Sequence, residues 1–330
     1  MSRPLRIEYP GAWYHVMNRG RRREEVFLSR TDYESFLQVL QETSVGWNIK
    51  IAAYCLMPNH YHLLINTPDG NISRCMRHVN GVYTQRFNRQ HETDGQVFRG
   101  RYKSVLVEAD SHLLEVLRYI HRNPIRAGLV NSLADFFWSS HQGYVSSAKK
   151  WDWLERDFLL SMLCAKKTGQ RAAYQDFVSL DESEEIERFY LLKNLPSVLG
   201  GTVFKDWLKE KFQHLGFQEE IPESRIFGPT AAEIITMVCD HFQVPKEQIA
   251  VSRRGRENLP RDVAMYLIRL LCRQTLIEVG ESFGMGNYST VSSAIERVKL
   301  RLKKDRVIQK DLEEIRKKTG QKPTADLIII

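Results

Sequence analysis

Hydrophobic and polar positions along the chain fall into two regimes. In the N-terminal part, short apolar runs are separated by turns and amphipathic stretches. Residues 12–19 (AWYHVMNR) read as a strand. Residues 49–56 (IKIAAYCL) alternate with the two-residue period of a strand, and residues 60–66 (HYHLLIN) form the next one after a turn at Pro58 and Asn59. Residues 96–108 (QVFRGRYKSVLVE) return as extended structure. Phe36, Leu37, Val39 and Leu40 mark a helical stripe behind a capping box of Thr31 and Glu34. Ile72, Met76, Val79 and Tyr83 mark a second helix, with Asn71 as its cap. A third helix starts at Asp110 or Ser111. It is expected to end near Pro124, because the residue before a proline avoids α geometry. The order is β-α-β-β-α-β plus one more helix. That predicts an α+β fold: a ferredoxin-like antiparallel sheet with helices on one face.

Beyond residue 149 the pattern is helical. Residues 150–225 carry Trp151, Trp153 and a charged run at 181–188 (DESEEIER), which reads as a solvated helix face without a function. A boundary falls at Phe227-Gly228-Pro229, and Thr230 with Glu233 offers another capping box. Helices are expected over 230–242, from Pro260, over 275–283 and, after a turn at 284–287, from Tyr288 onward. The divisions are therefore 1–148, a helical linker region at 149–226, an all-α module at 227–310 and a tail at 311–330.

Composition narrows the class. A hydrophobic content of 42% with 27% charged residues suits a globular protein with a sizeable core. The net charge of +8 suits a polyanionic partner, although a basic, merely soluble surface accounts for it equally well. Cys55, Cys75, Cys164, Cys239 and Cys272 have neither zinc nor redox spacing, so a reducing cytoplasm is the simplest setting. With no apolar run of about 18 residues and no signal peptide, membrane spanning and secretion are not expected. No Gly-rich phosphate loop is present, so no nucleotide cofactor is expected.

His60 and His62 are the most informative pair. On a strand their side chains point the same way while Tyr61, Leu63 and Ile65 point into the core. Two imidazoles so placed can share a metal, but spacing alone favours a pair of ordinary exposed histidines. On the helix that follows the last strand, Leu113, Leu117 and Ile120 mark the buried side, and Tyr119 and Asn123 stand four apart on another. By itself, Tyr119 reads first as an amphipathic side chain at a helix boundary.

The motifs taken together decide more. Tyr9-Pro10-Gly11, Met17-Asn18-Arg19-Gly20, Met57-Pro58-Asn59-His60-Tyr61-His62, Phe98-Arg99-Gly100-Arg101-Tyr102-Lys103 and Tyr119-Ile120-His121-Arg122-Asn123-Pro124-Ile125-Arg126-Ala127-Gly128 occur in that order. Residues 5–145 thereby resemble the REP-associated tyrosine transposases, relatives of the one-tyrosine single-strand transposases with the His-hydrophobic-His (HUH) nuclease fold. The resemblance implies a metal, Mg²⁺ or Mn²⁺, on His60 and His62, with Asn123 in the place of a third ligand that is glutamine in some relatives. It implies Tyr119 as the catalytic nucleophile. Tyr61 stands where relatives have a bulky aliphatic residue. Arg19, Arg21, Arg22 and Arg23, with Arg99, Arg101 and Lys103, would track a DNA backbone, and Phe98 and Tyr102 would either stack on bases or join the core.

The C-terminal module carries Ser252-Arg253-Arg254-Gly255-Arg256, Pro260-Arg261-Asp262-Val263-Ala264, Leu276-Ile277-Glu278-Val279-Gly280-Glu281-Ser282-Phe283-Gly284 and Asn287-Tyr288-Ser289-Thr290-Val291. Residues 228–305 resemble the DNA-binding domain of the bacterial replication initiator DnaA, a helix-turn-helix. Ile277, Val279, Phe283, Val291, Ile295 and Val298 would form its core. Asn287, Tyr288, Ser289 and Thr290 would open the recognition helix, and Arg253, Arg254 and Arg256 would meet phosphates or a minor groove. Arg297, Lys299, Arg301, Lys303 and Lys304 would extend the basic surface. The initiator has Asp-His-Thr-Thr where this chain has Asn287-Tyr288-Ser289-Thr290, so the bases read should differ.

The expected function is a metal-dependent single-stranded DNA transposase and endonuclease, acting in the cytoplasm. It would nick and rejoin DNA through a 5′-phosphotyrosine, at hairpin-forming repeats. The alternative is a catalytically idle, sequence-specific DNA-binding regulator derived from such an enzyme. Expected partners are single-stranded DNA hairpins and, through the C-terminal module, duplex DNA. Monomer and homodimer both fit.

Overall fold

In the computed structural model, which describes residues 7–192, 195–212, 228–250, 258–272, 274–285 and 288–319, the N-terminal alternation resolves into successive elements. These are β1 (Ala12–Arg19), α1 (Arg30–Gly46), β2 (Lys50–Met57), β3 (His60–Thr67), α2 (Ile72–His91), β4 (Lys103–Val107) and α3 (Ser111–Arg126). They are followed by α4 (His141–Val145), α5 (Asp157–Leu163), α6 (Lys167–Ser179), α7 (Glu184–Leu191), β5 (Val198–Leu199) and α8 (Thr202–Phe212). The sheet order is β2-β3-β1-β4-β5. The first four strands pair antiparallel in the ferredoxin-like order, and β5 adds parallel to β4 through Leu106 with Val198 and Val107 with Leu199. The fold is therefore α+β, with a mixed five-stranded sheet.

Helices cover both faces of this sheet, rather than the one face the sequence pattern suggested. Tyr61 packs on Phe36 of α1 at 4.9 Å between ring centroids and bonds Asn80 of α2 at 2.8 Å. Its neighbour His62 points the opposite way, toward Tyr119 of α3. The second layer extends into the stretch expected as a linker: Leu159, Leu160, Tyr174, Val178, Ile186 and Leu199 are buried in one cluster with Trp13, Leu64 and Leu117. An amphipathic α3 leaves too little apolar cover for the whole sheet face, and α5, α6 and α7 complete it.

Local signals moved some boundaries. The capping box of α1 is Ser29 with Asp32, two residues upstream of the expected pair, while Glu34 makes an exposed ion pair with Arg30. Phe98 and Tyr102 precede β4 and are buried, Phe98 against Tyr61 and Tyr83, so they belong to the core and are not base platforms. Helix α3 continues through Pro124 to Arg126. The proline sits in the last turn, where Ala127, Gly128 and Leu129 N–H groups close the end on the carbonyls of Asn123, Ile125 and Pro124. Asn123 therefore stays helical.

The chain divides into two compact units, Met1–Trp207 and Leu208–Ile330, with the boundary inside α8. The second is helical: α9 (Ala231–Phe242), α10 (Lys246–Ala250), α11 (Leu259–Leu267), α12 (Leu276–Glu281), α13 (Tyr288–Leu302) and α14 (Arg306–Lys318). Thr230 with Glu233 and Thr275 with Glu278 form reciprocal capping boxes at α9 and α12. Val279, Phe283, Val291, Ile295 and Val298 are buried as the pattern predicts, but Ile277 is 60% exposed. Residues two apart on a helix face different ways, so turning Val279 inward turns Ile277 out. Gly280 lets the turn close: a Cβ there would lie 2.8 Å from the Met285 carbonyl oxygen. Ile308, Leu312 and Ile315 of α14 also enter this core, so the stretch expected as a tail starts as packed helix. Among the described residues, no helix is long and apolar enough to cross a membrane.

Candidate active site

The tight turn between β2 and β3 pairs Met57 with His60, and Asn59 at its tip holds both flanks. Its carbonyl accepts from Gly20 N at 2.8 Å, and its side-chain Oδ1 meets His60 Nδ1 at 2.6 Å. In the register of β3 on β1, His60 lies opposite Arg19 and His62 opposite Met17. On β4, Lys103 pairs with Met17, so it shares this face. Gly20 then turns the chain into an arginine-rich loop. A Cβ at Gly20 would sit 2.0 Å from the Glu24 carbonyl oxygen, and Arg22 and Arg23 adopt left-handed backbone conformations.

These elements surround a pocket of about 700 Å³. Tyr119, His60, His62 and Asn123 line it together with Arg19, Arg23, Arg99, Arg101 and Lys103. The predicted nucleophile, the predicted ligands and five of the predicted cations therefore line one pocket, while Arg21 and Arg22 are exposed and do not line it. The rings of His60 and His62 are 5.0 Å apart and those of His62 and Tyr119 are 5.9 Å apart. His60 commits its Nδ1 to Asn59, and His62 commits its Nδ1 to His15 Nε2 at 2.9 Å, so Nε2 is the nitrogen each has left for a ligand. Asn123 donates its Nδ2 to the Tyr119 carbonyl at 3.1 Å, which leaves its Oδ1. Two imidazole nitrogens and one amide oxygen fit a divalent cation with open positions.

Electrostatics agree with that use. Burial, with the charge of Arg19 added, pushes the His60 pKa down to about 4. Burial drives His62 well below the usual histidine range, helped by His15, His60 and Arg126, and holds His15 at about 3. All three are neutral at physiological pH, the form in which imidazole binds metal. Burial raises the Tyr119 phenol, while the charge of Arg126 and hydrogen bonds from Arg126 and Asn123 act against it. The Arg126 guanidinium lies over the Tyr119 ring, 4.7 Å from its centroid.

Arg126 is held from behind by a residue the sequence reading discarded. Glu182, in the run taken as a solvated face, has a side chain only 3% exposed. It pairs with Arg122 at 3.4 Å and Arg126 at 3.9 Å, and Asp181 binds the same Arg122. Tyr190 of α7 was also missed. Its ring stacks on Tyr119 at 4.0 Å and its hydroxyl meets His15 Nδ1 at 2.5 Å. A polar residue at position 15, between Trp13 and Met17 on a strand, was a usable signal for His15. No local pattern could link it to a tyrosine 175 residues away.

A second set of ligand atoms exists. Glu108, Asp110 and His112, all half-buried, each bring one within 4.8 Å of the others. They sit after β4, at the end of the sheet away from His60. Their atoms serve local structure: Asp110 caps α3 by accepting from His112 N, and Glu108 accepts from Gly201 N at 2.7 Å.

In the helical unit, Tyr288, Ser289 and Thr290 are exposed on the first turn of α13, with Tyr288 61% exposed. Arg253, Arg254, Arg256 and Asn287 lie outside the described residues. Arg297 is drawn to the buried Asp262 at 2.8 Å and Lys299 to Glu296 at 3.0 Å, so two of the cations expected on a continuous basic surface have acidic partners. Lys303 and Lys304 are exposed.

Comparison with known proteins matches the two units to two families. Residues 8–123 match the family described as transposase, IS200-like, and residues 231–298 match bacterial DnaA protein helix-turn-helix. The chromosomal replication initiator protein DnaA of Bdellovibrio bacteriovorus is 39% identical over 84 residues, covering 25% of this chain and 18% of the relative. That of Thermus thermophilus is 40% identical over 99 residues, covering 28% of this chain and 23% of the relative. The chain thus spans about a fifth of the length of these curated relatives. Among solved structures, a REP-associated tyrosine transposase bound to a REP hairpin aligns with a TM-score of 0.38 and 21% identity, over 43% of this chain and 84% of that one.

Proposed function

We propose that this chain, which joins an IS200-like transposase domain at residues 8–123 to a DnaA-type helix-turn-helix domain at residues 231–298, nicks and rejoins single-stranded DNA with Tyr119 as its nucleophile. The observation that carries the reading is the convergence of Tyr119, His60, His62 and Asn123 on one cation-lined pocket. A divalent cation, Mg²⁺ or Mn²⁺, would be held by His60, His62 and Asn123 and would supply charge stabilisation at the scissile phosphate.

The chain's own residues account for the remaining requirements. An ordinary phenol has a pKa near 10, so attack at neutral pH needs the phenolate favoured. Arg126 works in that direction by opposing burial, which still holds the Tyr119 phenol above its ordinary value, so the remaining activation would fall to the cation. Arg19, Arg23, Arg99, Arg101 and Lys103 bring positive charge to the pocket, where a strand's phosphates would displace counterions. The Tyr119 oxygen, having lost its proton, bonds to phosphorus. The bond from phosphorus to the 3′ oxygen breaks, and that oxygen takes up a proton to become a 3′-hydroxyl. The DNA 5′ phosphate stays on Tyr119. In the reverse step a 3′-hydroxyl attacks the same phosphorus, the tyrosine oxygen departs and the strand is sealed, so the linkage energy is conserved and no nucleotide is consumed.

The test is incubation of the full chain with a panel of single-stranded hairpin oligonucleotides and Mn²⁺, read on a denaturing gel. A covalent protein–DNA adduct and a free 3′-hydroxyl fragment are expected, both lost on chelation with EDTA. Cut DNA without adduct would replace the reading with water-driven hydrolysis. Binding without cutting would favour an idle regulator.

The helical domain would hold duplex DNA, with Asn287, Tyr288, Ser289 and Thr290 at base edges. Arg253, Arg254 and Arg256 would contact phosphate. Replacing these three arginines together with alanine is expected to lower the steepness of duplex affinity against log salt by about 2 to 3, at roughly 0.9 per phosphate contact. An unchanged slope in a fluorescence-anisotropy titration would remove them from the interface.

A further inference from the structure

Behind the metal-facing side of the pocket runs a line of three side chains, the buried His62 and His15 and the half-buried Tyr190. His62 Nδ1 and His15 Nε2 are 2.9 Å apart, and His15 Nδ1 and the Tyr190 hydroxyl are 2.5 Å apart. His15 is fully buried and His62 is 6% exposed. A neutral imidazole has one N–H and one lone pair, so this line of bonds has a direction. If the Tyr190 O–H donates to His15 Nδ1, His15 Nε2–H donates to His62 Nδ1, and the His62 proton sits on Nε2, where it blocks a cation. If the direction is reversed, His62 donates Nδ1–H to His15 Nε2, His15 donates Nδ1–H to the Tyr190 oxygen, and His62 Nε2 presents a lone pair to the pocket.

We propose that His15 and Tyr190 are positioning residues for the cation: Tyr190 accepts the far end of the hydrogen-bond line and so keeps His62 in the tautomer that leaves Nε2 open. This rests on the reading of His60 and His62 as ligands. Among the described residues the line ends on neither a carboxylate nor a backbone carbonyl, the groups that most often orient a metal-ligating histidine. It ends on a phenol from α7, the helix that completes this face of the sheet from far along the chain. The same phenol ring lies flat against Tyr119, so one side chain backs both the metal ligand and the nucleophile.

Tyr190→Phe separates these two roles because the stack on Tyr119 survives and only the hydroxyl goes. In the cation-bound state the variant must bury the His15 N–H without an acceptor. In the cation-free state the line can reverse direction and avoid that. The cost therefore falls on cation binding and not on the fold. Isothermal titration of the full chain with Mn²⁺ alone is expected to show affinity weakened about 10- to 100-fold in Tyr190→Phe, with the melting temperature of the cation-free protein close to that of the parent. Independently, nitrogen-15 spectra of the histidine-labelled parent protein with Mg²⁺ should place the protons of both His62 and His15 on Nδ1. Unchanged Mn²⁺ affinity in Tyr190→Phe, or a His15 proton on Nε2 in the Mg²⁺ form, overturns the inference. His60→Ala is the control for the underlying reading. If it too leaves Mn²⁺ affinity unaltered, the ligand assignment itself is wrong and the inference falls with it.

Discussion

Tyr119→Phe should eliminate the covalent adduct and reduce strand cleavage by roughly 10⁴-fold or more, the scale on which loss of a covalent nucleophile is felt. The change is conservative for the fold. The Tyr119 ring stacks on Tyr190 at 4.0 Å and lies under the Arg126 guanidinium at 4.7 Å, and phenylalanine keeps both contacts. What disappears is the hydroxyl, with its hydrogen bonds from Arg126 and Asn123. Loss of such bonds at a site that lines an open pocket should cost about 1 kcal/mol, small enough to leave the protein folded. Hairpin binding should persist, because Arg19, Arg99, Arg101 and Lys103 are untouched. The decisive comparison is therefore binding against chemistry in one variant: a gel shift retained while the denaturing-gel adduct vanishes. An adduct of undiminished yield in Tyr119→Phe would assign the nucleophile to another residue. The tyrosine stacked on it, Tyr190, would be the next candidate, although its phenol is pushed far up by loss of solvent and by Tyr119.

The sequence was informative wherever function followed a local period. On β3 the two-residue alternation was enough to put His60 and His62 on one side and Tyr61 on the other, and the register with β1 and β4 follows from the same alternation. Helical spacing likewise put Tyr119 and Asn123 on one stripe, and the buried Leu113, Leu117 and Ile120 on another. A local rule failed at Pro124. The preference against α geometry before proline is weaker than the packing of α3, so the helix runs on to Arg126 and Asn123 keeps its offset from Tyr119. Charge runs were the least legible. DESEEIER has the composition of a solvated face, and Asp181, Glu184 and Glu185 are indeed exposed. Glu182 is not, because Arg122 and Arg126 from α3 reach it, and which carboxylate of a run meets an arginine is a tertiary fact. Tyr190 illustrates the same limit. Its stack and its hydrogen bond both join it to residues more than 70 positions earlier, in α3 and β1.

His60→Ala should bring activity down on the order of 10³-fold, since the several kcal/mol that a bound cation contributes to a phosphoryl transition state translate into about three powers of ten. Of the two imidazoles His60 is the cleaner to remove. His62 is buried, and deleting it would open a cavity and leave His15 Nε2 without its partner, so stability and ligation would change together. His60 is only partly buried, at the pocket wall, and its imidazole bonds the side chain of its neighbour Asn59. Its loss should leave the hairpin turn intact, because that turn is held by backbone bonds from Gly20 and Val26 to Asn59 and Pro58. Two measurements then separate ligation from general damage. Mn²⁺ affinity should fall by at least tenfold in His60→Ala while the cation-free melting temperature stays within a few degrees of the parent. Activity should recover in part at high Mn²⁺, because His62 and Asn123 still offer two ligands. His60→Ala protein that cleaves hairpins at the parental rate across the Mn²⁺ range would show that the pocket works without this imidazole. The Glu108, Asp110 and His112 cluster would then be the place to look for a cation.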